Sequence, residues 1–137
     1  MKKTRWICFV LAISLAGKVV GEQEVGVEPH TGEGEAIESM DVLYKVISPK
    51  TWEESLCRLE VVPSEIDSQF IHLSTKRQLA HVIDKYWRGQ EYLVLKLATN
   101  KLVGRLAYEV NPGGTTRYYH LYEGSIPLEA VIEVSDP

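Results

Sequence analysis

The sequence predicts an α+β domain in which about six strands form a small, strongly bent, mostly antiparallel sheet that is accompanied by two helices. Short runs rich in β-branched and aromatic residues recur along residues 41–137, and such runs are typical of strands. Two segments in the first half carry N-cap residues followed by the apolar spacing of amphipathic helices. Because the helices come early and the strands then follow one another, the pattern favours α+β over alternating α/β.

Residues 1–21 are predicted to be a secretory signal peptide. Lys2, Lys3 and Arg5 precede an apolar run over residues 7–17, which is too short to span a bilayer comfortably. An uncleaved N-terminal anchor is the alternative. We therefore expect an exported protein, periplasmic or secreted, with no membrane association beyond this segment. Translation from Met40 would instead leave the product in the cytoplasm.

Residues 22–40 are predicted to be an acidic disordered linker. The segment contains six glutamates, no lysine or arginine and almost no large apolar side chain. Such a composition cannot bury enough surface to offset the entropy lost on ordering. His30 lies within this linker, where a solvated histidine is expected rather than a metal ligand.

Residues 41–137 are predicted to form a single domain, and its charge and cysteine content exclude several classes of function. It has 11 lysine or arginine residues against 13 aspartate or glutamate residues, which argues against binding to long nucleic acids. Once the leader is removed, Cys57 is the only cysteine, so an internal disulfide and a four-cysteine zinc site are excluded. Cys57 is not expected to be a nucleophile, since no histidine is near it in sequence.

The first elements of the domain are a strand and a short helix. Residues 42–48 (VLYKVIS) are typical of a strand. Ser48 then suits an N-cap and Pro49 the first helical position, which predicts a helix to about Leu59. Trp52 and Leu56 are four residues apart and are expected to share its buried face. Residues 61–68 are predicted to be a loop.

A second strand and a longer helix follow. Residues 69–74 (QFIHLS) are predicted to be a strand, and Thr75-x-x-Gln78 is the signature of a capping box that opens a helix. That helix is expected to end at Gly89. Its apolar stripe is formed by Leu79, Val82, Ile83 and Tyr86.

The last part of the chain is predicted to contain four further strands, two of which form a hairpin. Leucines alternate with other residues in 91–98, which indicates a half-buried strand. Residues 104–110 and 116–122 read as a hairpin around the turn NPGG at 111–114. A turn at 123–127 and a final strand at 128–134 complete the domain.

His72 is the first candidate functional residue. Strand periodicity places Phe70, His72 and Ser74 on one face and the aliphatic Ile71 and Leu73 on the other. The strand therefore brings His72 and Ser74 to the predicted N-terminus of a helix, where unsatisfied N–H groups favour an anion. The alternative is a packed histidine bonded to a neighbouring carbonyl, with hydroxyls that only cap the helix.

His120 is the second candidate. It shares a strand face with Tyr118 and Tyr122, an arrangement that could stack a nucleobase or a nicotinamide ring, or could be ordinary strand packing. Glu109 ends the preceding strand of the hairpin and is expected to meet His120 across the pair, unless it is a solvated or salt-bridged edge residue. His81 lies between Arg77 and Lys85 at helical spacing and is expected to be a surface residue.

Two other chemistries are open to these side chains. Two imidazoles and a carboxylate suit zinc, but no local spacing of ligands supports a metal site, so none is predicted. Histidine-based phosphoesterase chemistry from two His-x-Ser/Thr motifs is the other alternative. His72-Leu73-Ser74 fits that motif, whereas His120 is followed two residues later by Tyr122.

The assembled motifs resemble the bacterial family known as domain of unknown function 952. They are LYKVIS, FIHLST with Gln78, YLVLKLATNKL, the hairpin with Glu109, and YHLYEGSIPLEAV. They extend from about Leu43 to Val134, nearly the whole domain. That family in turn looks like a compact relative of the ADP-ribosyltransferase fold, and the stretch after FIHLST is similar to that of RNA 2′-phosphotransferases.

The resemblance implies a pocket for a nucleotide such as NAD or for another small phosphorylated molecule. His120 lies where poly-ADP-ribosyl polymerases carry a catalytic glutamate, and Lys45 where they carry a histidine that contacts the nicotinamide or ribose. A possible activity is the transfer of ADP-ribose or phosphate, with His72, His120 and Glu109 as catalytic residues. The predicted ligand-binding residues are Tyr44, Lys45, Ser74, Thr75, Gln78, Tyr118 and Tyr122. A non-catalytic envelope binding module is the rival hypothesis.

Overall fold

A computed structural model describes residues 40–137 of the chain. The predicted signal peptide, nearly all of the predicted linker and His30 lie outside these residues. Within residues 40–137, none of the helices is both long and apolar enough to cross a membrane.

The described chain contains two α-helices and six strands, as the sequence predicts. In chain order they are β1 (Val42–Ile47), α1 (Pro49–Arg58), β2 (Ile71–Leu73), α2 (Lys76–Tyr86), β3 (Leu93–Ala98), β4 (Val103–Val110), β5 (Arg117–Ser125) and β6 (Val131–Ser135). All strand pairs are antiparallel. The expected single bent sheet is instead two three-stranded sheets with the orders β1–β3–β6 and β2–β5–β4.

A backbone bridge connects the two sheets. The Tyr44 N–H donates to the Ser74 carbonyl at 2.8 Å, and the Ser74 N–H donates to the Tyr44 carbonyl at 2.9 Å. Because Ser74 directly follows β2, this bridge holds the middle of β1 beside the end of β2. The neighbouring side chains of Lys45 and His72 thereby come to the same part of the molecule.

One hydrophobic core stabilises both sheets. Leu43 and Leu95 come from the first sheet, Leu73 and Leu121 come from the second, and each is at most 1% exposed. Burying an aliphatic side chain of this size contributes about 1.5–3 kcal/mol. The two sheets are therefore expected to fold together, since neither has a core of its own.

Helix α1 begins as predicted but buries a different face. The Ser48 hydroxyl accepts a hydrogen bond from the Thr51 N–H at 3.1 Å, and Pro49 opens the helix. Leu56, expected to be buried, is 41% exposed, whereas Ser55 is fully buried. Ser55 is in the buried position because its hydroxyl donates to the Thr51 carbonyl and accepts from the N–H of Val62 in the following loop.

Helix α2 has the predicted capping box. The Thr75 hydroxyl accepts from the Gln78 N–H at 3.3 Å, and the Gln78 side chain accepts from the Thr75 N–H at 3.1 Å. The predicted apolar stripe is only half-buried in its first three members, and Tyr86 is 50% exposed. Tyr86 is exposed because it borders a cavity at the surface rather than the core.

The C-terminal strands differ from the prediction. The expected turn at residues 123–127 is wrong in its first half, because β5 continues to Ser125 with Glu123 in the left-handed region at φ 47°. The register between β4 and β5 shifts at this point, because Glu123 and Gly124 of β5 lie opposite the single residue between Val103 and Arg105 of β4. A 3₁₀ turn at Leu128–Ala130 then replaces the start of the expected last strand.

Candidate functional site

Asp67 holds together one side of the candidate site. It ends a 3₁₀ turn, Glu65–Asp67, within the predicted loop, and Ser64 caps that turn. Asp67 Oδ2 accepts from Lys45 Nζ at 2.7 Å, from the Ser64 hydroxyl at 2.7 Å and from the Ser64 N–H at 3.1 Å. Asp67 Oδ1 lies 3.0 Å from both the backbone nitrogen and Nδ1 of His72. One carboxylate therefore fixes Lys45, the loop and His72.

The electrostatics of this cluster keep Asp67 ionised. Burial opposes ionisation, but the hydrogen bonds from His72 and the charge of Lys45 outweigh it and hold the pKa of the Asp67 carboxyl well below its usual range. Burial also lowers the pKa of the Lys45 ammonium, and Asp67 offsets part of that effect. Lys45 is 5% exposed and Asp67 is 6% exposed, so the two charges are solvated mainly by each other and by their protein neighbours rather than by water.

His72 has one ring nitrogen bound and one available. An ionised carboxylate can only accept hydrogen bonds, so its contact with Asp67 places the proton of the neutral imidazole on Nδ1. Nε2 then carries a lone pair, and it makes no hydrogen bond to any other residue in the range 40–137. The His72 side chain is 34% exposed. The arrangement orients a histidine base toward solvent, a geometry that suits proton transfer or ligand contact.

His120 is held in a different way. Its side chain is 1% exposed, Nδ1 lies 2.9 Å from Glu109 Oε1, and Nε2 lies 2.6 Å from Asn111 Oδ1. The expected contact with Glu109 across the hairpin is thus present. The same carboxylate oxygen also accepts from the Tyr122 hydroxyl. With both nitrogens bonded, His120 fixes the hairpin loop, and the catalytic role expected for it stays a prediction.

The Glu109 carboxylate is further stabilised by these neighbours. The hydrogen bond from Tyr122, followed by that from His120, lowers the pKa of Glu109. The same bond to Glu109 raises the pKa of the Tyr122 hydroxyl. Arg105 lies over the Tyr122 ring with its guanidinium carbon 4.5 Å from the centroid, in the geometry of a cation–π contact.

The two histidines are neighbours across strands β2 and β5. His72 and His120 pair in the strand register, and their ring centroids are 5.3 Å apart. Phe70 stacks on His120 at 4.1 Å and lies 4.8 Å from His72. Ile71 and Leu73, which flank His72 in the sequence, point into the core, which confirms the predicted alternation of this strand.

A cavity of about 300 Å³ lies beside this cluster, and we call it the aromatic cleft. It lies at the low end of the volumes common for small-molecule sites. Aromatic rings and aliphatic groups form much of its wall, and polar groups of Lys45, His72 and Ser74 reach it. Its lining residues are Tyr44, Lys45, Val46, Ser64, Ile66, His72, Leu73, Ser74, Val82, Tyr86, Trp87, Asn111 and Tyr118.

A second, more polar depression of about 480 Å³ adjoins the cleft, and we call it the loop groove. It runs between helix α2 and the β4–β5 turn. Four residues, His72, Tyr86, Asn111 and Tyr118, border both cavities, so the two form a continuous surface. Its other lining residues are His81, Lys85, Pro112, Gly113, Gly114, Thr115 and Thr116.

The structure brings some of the predicted site residues together and places others elsewhere. Those that line the aromatic cleft are Tyr44, Lys45, His72, Ser74 and Tyr118. Those that line neither cavity are Thr75, Gln78, Glu109, His120 and Tyr122. Thr75 and Gln78 are occupied by the capping box, and the Gln78 amide also donates to the Arg117 carbonyl at 2.6 Å. His81, expected to be a surface residue, is exposed and borders the loop groove.

Three residues of the site were not predicted from the sequence. Asp67 and Ser64 lie in a stretch that was predicted to be only a loop, although Ser64-x-x-Asp67 has the pattern of a cap and could have drawn attention to it. Asn111 was assigned to the hairpin turn, and nothing in the sequence pattern relates its amide to His120. Among residues 40–137, no group of three or more histidine, cysteine or acidic side chains is placed to hold a metal ion.

Comparisons with known proteins identify relatives of the domain. The model of the family described as "Protein of unknown function (DUF952)" matches residues 46–134. The crystal structure of protein CC0527 from Caulobacter crescentus is 28% identical, with a TM-score of 0.62, over 69% of this chain and 84% of that one. Its solution NMR structure is 27% identical, with a TM-score of 0.59, over 71% and 84%. No curated protein gives a significant match.

Proposed function

The chain belongs to the DUF952 family, and we propose that its aromatic cleft binds a nucleotide or another small phosphorylated molecule. NAD is one candidate, in keeping with the resemblance to the ADP-ribosyltransferase fold. The proposal includes export, which rests on the signal-peptide pattern of residues 1–21.

The observation that carries the proposal is the Asp67–His72 pair at the edge of the cleft. A buried, ionised carboxylate bonds Nδ1 of the imidazole, and the other ring nitrogen has no partner among residues 40–137. Orienting a histidine in this way requires a buried charge, which costs stability unless it is well paired. Here Lys45 provides the pairing. Such an arrangement is typical of functional sites, where perturbed ionisable groups cluster.

The walls of the cleft suit a planar ring. Tyr44, Tyr86, Trp87 and Tyr118 contribute aromatic surface around one opening. Stacking of a base on an aromatic side chain contributes about 1–3 kcal/mol and tolerates different bases. His72 Nε2 would then accept a hydrogen bond from a ribose hydroxyl or an exocyclic amine next to the bound ring.

The site would also support one chemical step in a transfer of ADP-ribose or phosphate. His72 Nε2 would take the proton of an attacking hydroxyl, and that oxygen would form the new bond while the leaving group departs with the electron pair of the broken bond. The ionised Asp67 would stabilise the imidazolium that forms, as carboxylate partners of catalytic histidines do. Since Lys45 already neutralises the charge of Asp67, protonation of His72 would add one positive charge to the Lys45–Asp67–His72 cluster.

A binding module without catalysis is the second candidate, and the environment of His120 favours it. His120 is 1% exposed with both ring nitrogens bonded, so of this pair of histidines only His72 presents a free imidazole nitrogen. For the same reason, histidine-based phosphoester hydrolysis with one histidine as acid and the other as base is less favoured. Turnover of NAD or of a cyclic phosphate by the purified chain would decide against the binding module.

Calorimetric titration of the full chain with NAD, ADP-ribose and AMP tests the proposal. We expect at least one of them to bind and to raise the melting temperature, because a ligand at 100 times its Kd stabilises the folded state by about 2.7 kcal/mol. His72→Asn should weaken binding at least about tenfold, which corresponds to about 1.4 kcal/mol for one lost polar contact. Asn retains an amide that can still donate to Asp67.

Lys50→Gln is the control, because Lys50 is 85% exposed on α1 and lines neither cavity. Circular dichroism and urea midpoints should first show that both variants are folded at the titration temperature. If none of the three nucleotides binds the wild-type chain, the proposal is wrong. Equal affinities of wild type and His72→Asn would remove His72 from the site.

A further inference from the structure

We infer that the loop groove is a phosphate subsite, which places the charged part of a ligand between the end of α2 and the β4–β5 turn. The inference rests on the proposed function and specifies where the phosphate of the ligand binds. It replaces the position predicted from the sequence, which is the N-terminus of α2. The observations are the charges of the groove, the free hydroxyls on its loop side and its continuity with the aromatic cleft.

The charges of the loop groove favour an anion. Lys85 and His81 face it from successive turns of α2, four residues apart. Lys85 Nζ lies 5.0 Å from the centroid of the Tyr86 ring, which keeps the ammonium near the border between groove and cleft. None of the residues that line the groove carries a carboxylate. The chain has a formal net charge of −4, so a surface that contains a lysine and a histidine but no carboxylate differs from the average charge of the protein.

The loop side of the groove offers hydrogen-bond donors. Thr115 and Thr116 line it with hydroxyls that make no hydrogen bond to any other residue between 40 and 137. Gly113 and Gly114 lie beside them and leave the backbone uncovered by side chains, so that an oxyanion can approach closely. A phosphate has three or more acceptor oxygens, and this surface combines ammonium, imidazole and hydroxyl donors on both of its sides.

The groove also continues the aromatic cleft in a direction that fits a nucleotide. His72 and Tyr118 border both cavities, so a ring bound in the cleft would have its sugar beside His72 and its phosphate in the groove. The two volumes together reach well into the range of about 300–1,000 Å³ that is typical of ligand sites. The N-terminus of α2 is less suitable, because its Thr75 and Gln78 N–H groups are already bonded within the capping box.

The subsite thus selects a ligand class: nucleoside phosphates over nucleosides. The test uses calorimetric titration of the full chain with three probes, pyrophosphate, AMP and adenosine, at low ionic strength. We expect AMP to bind more tightly than adenosine, and pyrophosphate to bind on its own. Lys85→Gln should weaken binding of pyrophosphate and AMP about fivefold to tenfold, as the loss of one charged contact implies, and His81→Asn should weaken it about twofold to tenfold through the loss of one imidazole contact. Adenosine affinity should be unchanged in both variants.

Lys76→Gln is a matched control, since it removes the same charge from the opposite end of the same helix, next to Thr75. If Lys76→Gln weakens the phosphate probes and Lys85→Gln does not, the phosphate lies at the helix N-terminus and the inference is overturned. If AMP and adenosine bind equally and pyrophosphate does not bind, the subsite is refuted while nucleotide binding stands. Binding of pyrophosphate that depends on Lys85, without binding of any nucleotide, would support the subsite and refute the proposed nucleotide ligand. Absence of binding by all three probes would refute both.

Discussion

Replacement of Asp67 by asparagine tests the interpretation of the site more directly than any other single change. Each carboxylate oxygen accepts a backbone N–H: Oδ1 from His72 at 3.0 Å and Oδ2 from Ser64 at 3.1 Å. An amide has only one accepting oxygen, so in either orientation its NH₂ group meets a backbone donor. The substitution also leaves the Lys45 ammonium buried without its counter-charge.

The expected loss of stability is large for a substitution that changes one atom. Removing one partner of a buried ion pair costs about 3–5 kcal/mol, because the remaining charge is left uncompensated. The clash between the new NH₂ group and a backbone N–H costs about 1–3 kcal/mol. This clash arises at the same side chain as the loss of the ion pair, so the two costs overlap and are not simply added. Against a total stability of about 5–15 kcal/mol, Asp67→Asn should leave a folded but fragile domain.

Urea unfolding followed by tryptophan fluorescence measures this loss. Trp52 packs against the core and reports its opening. With a denaturant slope of about 1.5 kcal/mol per molar urea, the midpoint should fall by about 2–3 M. Asp84→Asn is the control: Asp84 pairs with Arg88 on the surface of α2, where loss of an ion pair costs at most about 1 kcal/mol.

A double variant separates the charge effect from general damage to the loop. Adding Lys45→Met to Asp67→Asn removes the unpaired ammonium, so the double variant should be more stable than the sum of the two single losses predicts. The expected coupling is about 1–3 kcal/mol for groups in direct contact. An unchanged midpoint in Asp67→Asn, or strictly additive losses in the cycle, would refute the reasoning from the buried pair.

Two further predictions concern acid and backbone packing. Folding lowers the pKa of Asp67 from its usual 3.8, so the unfolded chain takes up the proton at a higher pH than the folded chain does. The stability that the ionised Asp67 contributes is therefore present above about pH 4 and is lost as the pH falls below it. Urea midpoints between pH 7 and pH 3 should therefore fall more steeply for wild type than for Asp67→Asn, and parallel profiles would contradict this assignment. Gly124→Ala should cost more than about 2 kcal/mol, because its Cβ would lie 1.9 Å from the Val103 carbonyl oxygen. Gly114→Ala is the control, because Gly114, like Gly124, has no left-handed φ, and its Cβ would lie 3.3 Å from the Asn111 carbonyl oxygen; it should cost less in the same urea assay, and equal losses would argue against the close approach.

Local sequence signals determined most of the secondary structure. Ser48-Pro49 and Thr75-x-x-Gln78 predict the starts of both helices, and the structure has the corresponding caps. The alternation around His72 also predicts which side chains of β2 enter the core. These signals succeed because caps and strand faces depend on residues within four positions of each other. They failed at residues 123–127, where β5 continues its pairing with β4 by accommodating one extra residue.

The composition of the candidate site depended on contacts between residues distant in sequence. His72 was a candidate from its strand, but Asp67 was hidden in a predicted loop, and its partner Lys45 lies 22 residues away. The burial of His120 also follows from tertiary packing, since Asn111 and Glu109 reach it only when the hairpin closes. The connection between the two sheets has the same origin, because the Tyr44–Ser74 bridge joins segments that no local pattern relates.

Hydrophobic period, caps and turn residues thus predict the helices and strands of this protein and the candidate His72, because these signals act over a few positions. Which charges are paired, and which ring nitrogen is available, follows from tertiary contacts. Pairing depends on distances of about 3 Å between segments that are far apart along the chain, and no spacing rule encodes such distances. The orientation of His72 by Asp67 is the clearest result of that kind.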